Sequence, residues 1–297
     1  MTNTEFTSNR DNFCYRHPDR QSFVLCQRCL RTICPECQTQ AAVGVICPEC
    51  LKEQKQNRTP AQKKADRRWN GGRSILAPAT GKPIVTYAII AVTAFIWLLT
   101  LIPGIGASIQ GALLFNAVYL YPDLNGGVFE PWRVLTAALV HSSSIWHIGF
   151  NMLSLWVIGR TLEPMLGRWR FLTLYVLSAV GGSVAVACID PLQSVVGASG
   201  AVFGLFGALI IIGRHMGANI TGILVIIGLN LVIGFIPGFN IAWQAHIGGA
   251  VVGLLVALIF TRTRRRDQRV WQILWLVALG LVLVALLAFV PPAVLLA

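Results

Sequence analysis

The sequence predicts an all-α protein that crosses a membrane several times and is preceded by a small cysteine-rich module. Three observations carry this. The chain is 55% hydrophobic and only 12% charged, with a mean hydropathy of +0.65, too apolar for a soluble domain of 297 residues. Seven apolar runs approach the ~20 residues a helix needs to cross the hydrocarbon core: 84–103, 135–159, 170–189, 194–213, 218–236, 241–261 and 270–290. Ahead of them, residues 1–52 are polar and hold most of the cysteines.

In that first segment Cys14 and His17, Cys26 and Cys29, Cys34 and Cys37, and Cys47 and Cys50 form pairs, each with two residues between its members. The spacing lets both side chains of a pair turn toward one metal, and eight such ligands suffice for two tetrahedral Zn2+ ions. About fifty residues with few large apolar side chains do not hold a core by burial alone. Metal is therefore expected to decide whether the module folds. Both ions are read as structural, because no position is left for a reactive water, and no cofactor is expected in catalysis. A disulfide framework is the rival reading, disfavoured by the reducing compartment in which the topology places the module. The pattern resembles a B-box-type zinc finger. That resemblance implies alternating pairs, with Cys14, His17, Cys34 and Cys37 on one ion and Cys26, Cys29, Cys47 and Cys50 on the other.

Orientation follows from the basic residues. Lys52, Lys55, Arg58, Lys63, Lys64, Arg67, Arg68 and Arg73 precede the first run. Arg160, Arg168 and Arg170 lie between the second and third, Arg214 ends the fourth, and Arg262, Arg264, Arg265, Arg266 and Arg269 follow the sixth. All fall on one side of a seven-span chain, whereas the opposite loops carry chiefly Arg133. A multi-pass protein of a bacterial plasma membrane is expected, its N-terminus cytoplasmic and its C-terminus extracytoplasmic. No signal peptide is read ahead of residue 84. The net charge of +12 fits this topology and attraction of the basic linker, residues 53–83, to anionic headgroups of the lipid bilayer; nucleic acid is not an expected partner. The loop over 104–134 is long, and its Tyr119, Tyr121 and Trp132 suit the membrane interface.

Polar residues inside spans are costly and mark function. Here they are His147 with Asn151 in the second span, Ser199 in the fourth and His246 in the sixth. These spans all start on the same side, and at 1.5 Å per residue the four positions share one depth. Gly200, Gly204 and Ala208 follow Ser199 at intervals of four, and Gly249, Gly253 and Ala257 follow His246 likewise. Two such stripes allow close helix approach, which brings the Ser199 hydroxyl toward the His246 imidazole. A serine beside a histidine is an activated nucleophile. His147 and Asn151, four apart on one helix face, are candidate donors for the oxyanion, together with the backbone N–H of Ser199.

These residues resemble the rhomboid family of intramembrane serine proteases, through "GASG", "AHIGGAVVG", "HIGFN" and "PWR" in that family's order over residues 84–261. The resemblance implies a six-helix bundle with a seventh transmembrane helix added after it. It implies a catalytic Ser199–His246 dyad, oxyanion donors at His147 and Asn151, and the family's loop Trp-Arg pair at Trp132 and Arg133. Phe203 stands where some members have a tyrosine, so it can stack on the histidine but not donate to it. His141 is six residues before His147 rather than five, and no role is carried onto it. Gly222, Gly228 and Gly234 mark the fifth span as a candidate gate or, equally, as a packing surface.

The expected domains are 1–52 zinc module, 53–83 linker, 84–261 catalytic domain, and 262–297 basic loop with the seventh helix. The expected function is cleavage of transmembrane or juxtamembrane segments of membrane proteins, with the zinc module recruiting a cytoplasmic partner. The alternative is an inactive relative that binds membrane clients. A proton-relay transporter is disfavoured, since the sequence shows no obvious inverted repeat and few buried carboxylates.

Overall fold

The computed structural model describes residues 9–40, 44–57, 82–215, 220–234 and 241–295. Arg58, Lys63, Lys64, Arg67, Arg68 and Arg73 of the linker lie outside these residues. The chain divides into two compact units, residues 1–71 and 72–297.

The first unit is built from two short antiparallel ribbons and one helix. Strand β1 (Phe13–Cys14) pairs with β2 (His17–Gln21), and β3 (Thr39–Gln40) with β4 (Val45–Ile46). Helix α1 (Pro48–Gln56) begins where Pro48 has no N–H to lose, and the Cys47 sulfur accepts from the Cys50 N–H at its start. Its core is almost wholly cysteine: Cys14, Cys26, Cys34, Cys37, Cys47 and Cys50 are buried around Ile33 and Ile46.

In the second unit the seven apolar runs form helices α2 (Ile84–Thr100), α5 (Ile145–Leu166), α6 (Arg168–Ile189), α7 (Ser199–His215), α8 (Thr221–Gly234), α9 (Trp243–Arg262) and α10 (Arg269–Leu295). The connection after α2 adds α3 (Ile105–Leu113) and the single turn α4 (Arg133–Thr136). Among the described residues, α6, α9 and α10 are long and apolar enough to cross a membrane, while α2 and α7 are shorter apolar helices of 17 residues. The second run begins later than its hydropathy suggests. Residues 137–144 leave the helix after α4, and α5 then continues to Leu166.

Helices α6, α7 and α9 form the centre, and glycine sets their spacing. A Cβ on Gly249 would collide with the backbone of Gly200, and one on Gly253 with that of Gly204. The two stripes therefore meet, as their spacing predicts. A third helix joins them, since a Cβ on Gly182 of α6 would lie 3.1 Å from the Ala245 oxygen and 3.3 Å from the Gly200 Cα. Around this contact Leu155, Leu174, Leu205, Ile212, Val256 and Phe260 are fully buried.

Long-range polar contacts fix the periphery. Helix α2 has no side-chain cap of its own. Its first turn is capped instead by the buried carboxylate of Glu163 on α5, which accepts from the Val85 N–H (2.9 Å), the Thr86 N–H (2.7 Å) and the Thr86 hydroxyl (2.8 Å). A negative charge is favourable there, where free N–H groups collect. In the connection, Arg133 is buried, pairs with Glu130 at 2.9 Å, donates to the Gly111 (2.6 Å) and Leu114 (3.0 Å) carbonyls, and lies over the Tyr119 ring. Trp132 donates to the Ala112 carbonyl at 3.3 Å. Tyr121 donates its hydroxyl to the Leu287 carbonyl of α10 at 2.6 Å. Pro291 is four residues beyond Leu287 and has no N–H, so this carbonyl lacks the i+4 donor of a regular α-helix. Tyr121 supplies the missing donor.

Candidate active site and metal clusters

Ser199 is the first residue of α7, His246 the fourth of α9, His147 the third of α5 and Asn151 the seventh. All four lie in the first two turns of their helices. Ser199 thus stands at a helix start, because the residues before it are non-helical: Val195 bridges to Phe115, and Gly197 and Ala198 turn into the helix.

The turn into α7 is held by two hydrogen bonds. Gly197 has φ +123°, a conformation that L side chains rarely adopt, and its N–H donates to the Ala137 carbonyl at 2.9 Å. The next N–H, of Ala198, donates to Nε2 of the buried His141 at 3.2 Å. A Cβ added at Gly197 would sit 2.8 Å from His147 Nε2 and 3.9 Å from Ser199 Oγ. Glycine therefore leaves open one point that both the hydroxyl and the imidazole reach.

Hydrogen bonding sets the tautomer of His147. Its Nδ1 accepts from the Ser142 N–H (3.4 Å) and meets the Ser142 hydroxyl at 2.9 Å. In a neutral imidazole the proton is then on Nε2, which faces the open point as a donor. Asn151 is buried and gives one amide hydrogen to the His147 carbonyl at 2.8 Å. Its second amide hydrogen has no acceptor among the described residues.

His246 is buried and lies flat against Phe203, with ring centroids 4.0 Å apart and planes 8° from parallel. Phe203 is one helical turn after Ser199. On the other side of the same contact, a Cβ on Gly200 would be 3.4 Å from the Ala245 oxygen, so the chain neighbours of Ser199 and His246 touch. Nδ1 of His246 is buried with no hydrogen-bond partner among the described residues. Helix α8 packs on the core through the partly buried Ile223 and Ile227, whereas Leu224, Val225, Leu229 and Val232 are exposed, and Gly222 and Gly228 face open space. These two glycines are not a packing surface.

Two residues at this site escape sequence reasoning. His141 is visible as a histidine near the span but has an irregular spacing. Gly197 is one small residue among several. The signals exist only in three dimensions, as a hydrogen bond and a positive φ.

In the first unit, Cys14, His17, Cys34 and Cys37 form one candidate metal cluster and Cys26, Cys29, Cys47 and Cys50 another, with the ligand atoms of each within 4.8 Å of one another. The Cys29 and Cys47 sulfurs are 3.7 Å apart, and His17 Nδ1 is 3.4 Å from the sulfurs of both Cys34 and Cys37. Ligands about 2.3 Å from a tetrahedral ion are separated by about 3.8 Å, so both donor sets fit one. Arg31 donates to the Cys29 sulfur at 3.3 Å while lying over Tyr15. Burial raises the thiols of Cys14, Cys26, Cys29, Cys37 and Cys50. Backbone N–H donors outweigh it at Cys14 and Cys26 and bring both to about 6, whereas burial and neighbouring sulfurs push Cys37 to about 11 and Cys50 to about 12. Three sulfurs with an imidazole in one cluster, and four sulfurs in the other, can all be ionised at such distances only around a cation.

Residues 128–263 match the family model of the rhomboid domain. The chain is 37% identical over 185 residues to the rhomboid protease GluP of Bacillus subtilis, covering 60% of this chain and 35% of that one. It is 31% identical over 193 residues to YdcA of the same organism, also named for the rhomboid family, covering 62% of this chain and 92% of the relative. RHOMBOID-like protein 5 of Arabidopsis thaliana is 38% identical over 141 residues, 44% of each chain. The chain thus spans about a third of GluP's length and nearly all of YdcA's.

Proposed function

The chain belongs to the rhomboid family, and on that premise we propose that it is an intramembrane serine endopeptidase that cuts membrane proteins at Ser199. The observation that carries the reading is the open point at Gly197, reached by Ser199 Oγ and by the Nε2 proton of His147, one turn from the Phe203–His246 stack.

In this reading Ser199 Oγ attacks the scissile carbonyl while His246 takes its proton. His147 Nε2–H, the free amide hydrogen of Asn151 and the Ser199 N–H donate to the tetrahedral oxyanion. As the intermediate collapses, the C–N bond breaks and His246 returns the proton to the leaving amine. Water, deprotonated by the same imidazole, then hydrolyses the acyl-enzyme and restores the serine. No metal takes part.

Substrates are transmembrane or juxtamembrane segments. Small or helix-breaking residues near the cut favour unwinding, which must precede access of the carbonyl to a site one to two turns deep. The two cysteine clusters hold structural Zn2+, which thiolates with a histidine favour. The zinc module, residues 1–52, and its linker, 53–83, face the cytoplasm and recruit a partner or substrate tail there. Residues 84–261 form the catalytic domain, and 262–297 add the seventh helix, with the C-terminus on the far side.

The test is cleavage, in proteoliposomes, of a single-span reporter containing a glycine-rich stretch. Wild type cuts it, and Ser199→Ala and His246→Ala do not. Equal cleavage by Ser199→Ala would remove the reading.

A further inference from the structure

The catalytic reading leaves unused an apolar groove of about 350 Å³ between α6 and α10. Leu172, Thr173, Val176 and Leu177 form one wall, and Ile273, Leu276 and Val277 the other. The one hydroxyl among them is neutralised within its own helix, since Thr173 donates to the Trp169 carbonyl at 2.9 Å. The groove is therefore greasy throughout.

One end of this groove is strongly cationic. Arg168 and Arg170 open α6 one turn before its wall, and Arg269 opens α10 one turn before Ile273. A polar knot holds the two helices together there. Arg170 Nε donates to the Gln272 side-chain oxygen at 3.0 Å, and Gln272 Nε2 donates to the Thr263 carbonyl (3.1 Å) and hydroxyl (2.8 Å) at the end of α9. Next to Thr263, the Nε and Nη2 atoms of Arg264 are buried with no hydrogen-bond partner among the described residues. None of Arg168, Arg170, Arg264 and Arg269 has an ion pair among those residues; the carboxylates nearest in sequence are Asp267 and, on the α6 side, Glu163, which is engaged by the first turn of α2. Trp169 and Trp271, both exposed, flank the same end, as tryptophans do at a membrane interface.

From an apolar slot that ends in unpaired arginines, we infer that the α6–α10 groove binds an anionic phospholipid, one acyl chain along the slot and the headgroup phosphate at the arginine cluster. Charge complementarity selects the headgroup: a guanidinium pairs bidentately with phosphate oxygens and supplies the partner that Arg264 lacks. Size selects the chain. The walls run only from Leu172 to Leu177 and from Ile273 to Val277, about one and a half turns of each helix, a narrow strip that a stretch of one flexible chain covers and a whole transmembrane helix overhangs. The lipid would cement α10, most of whose side chains face outward, to the body of the bundle.

Native mass spectrometry of the full chain, released from mild detergent with equal amounts of phosphatidylglycerol and phosphatidylcholine, tests this independently of catalysis. Wild type is expected to retain phosphatidylglycerol about tenfold over phosphatidylcholine. Arg264→Gln and Arg269→Gln should each lower that retention about fivefold, the effect of one interfacial arginine, whereas Arg214→Gln on α7 should not. Val176→Trp, which fills the slot and spares the arginines, should lower it as well. Equal retention of the two lipids by wild type would overturn the inference. So would losses confined to the arginine variants with Val176→Trp unaffected, because the chain would then lie outside the groove.

Discussion

Phe203 lies face to face with His246, 4.0 Å between ring centroids and 8° from parallel. The stack fixes the plane of the imidazole without engaging either ring nitrogen. Because an aromatic pair contributes about 0.5–1.5 kcal/mol beyond burial, Phe203→Leu should lower kcat roughly threefold to tenfold with little change in KM. Phe203→Tyr, which keeps the stack, should stay near wild type. Steady-state kinetics on the reporter substrate decide between this and a purely structural role, in which leucine would lower the melting temperature and leave kcat alone.

Gly197 gives a sharper prediction. Alanine there takes on strain of about 1–3 kcal/mol at φ +123° and places its methyl against His147 Nε2. If that nitrogen is an oxyanion donor, its displacement costs about 2.7–4 kcal/mol in the transition state, a hundredfold or more in kcat. A Gly197→Ala protein that remains folded and cuts within threefold of wild type would contradict the placement of the oxyanion.

The bond from Tyr121 to the Leu287 carbonyl predicts an unusual rescue. Tyr121→Phe leaves that carbonyl unpaired and should destabilise the protein by about 1–3 kcal/mol. Pro291→Ala restores an N–H four residues on, so the double variant should recover most of the loss. Thermal unfolding in detergent measures all three; additive losses would show that the hydroxyl is not there for the carbonyl.

For the cysteine clusters the prediction concerns stoichiometry. Wild type should contain two zinc ions per chain, each held with an apparent energy of about 10–16 kcal/mol at neutral pH. Cys14→Ala combined with Cys34→Ala, both in one cluster, should lose one ion, and Cys14→Ala with Cys26→Ala should lose both. The reverse pattern in metal analysis would refute the alternating pairs. Zinc should also be released as pH falls, because protons compete for the thiolates. Deleting residues 1–52 should leave cleavage of a generic substrate intact and change substrate choice.

Much of this molecule is legible in its sequence. Hydropathy locates the seven long helices, and the four-residue repeats after Ser199 and His246 foretell the Gly200–Gly249 and Gly204–Gly253 contacts. The two-residue cysteine spacing foretells four ligand pairs, and the resemblance to a B-box-type finger their alternation between two clusters. What is hidden depends on partners distant in sequence. Glu163 reads as one polar residue in an apolar run, yet it caps a helix 77 residues away. His141 reads as misplaced until the Ala198 N–H is found on it. The start of α5 is misread because residues 137–140 are as apolar as a helix, although the chain there is irregular.

The measurement that bears most directly on the central claim is reaction of the purified, detergent-solubilised protein with a fluorophosphonate, which labels only an activated serine. Wild type should label, and Ser199→Ala and His246→Ala should not. A folded wild type that stays unlabelled, while a control serine hydrolase reacts in the same detergent, would contradict the account and leave a rhomboid that binds membrane proteins without cutting them.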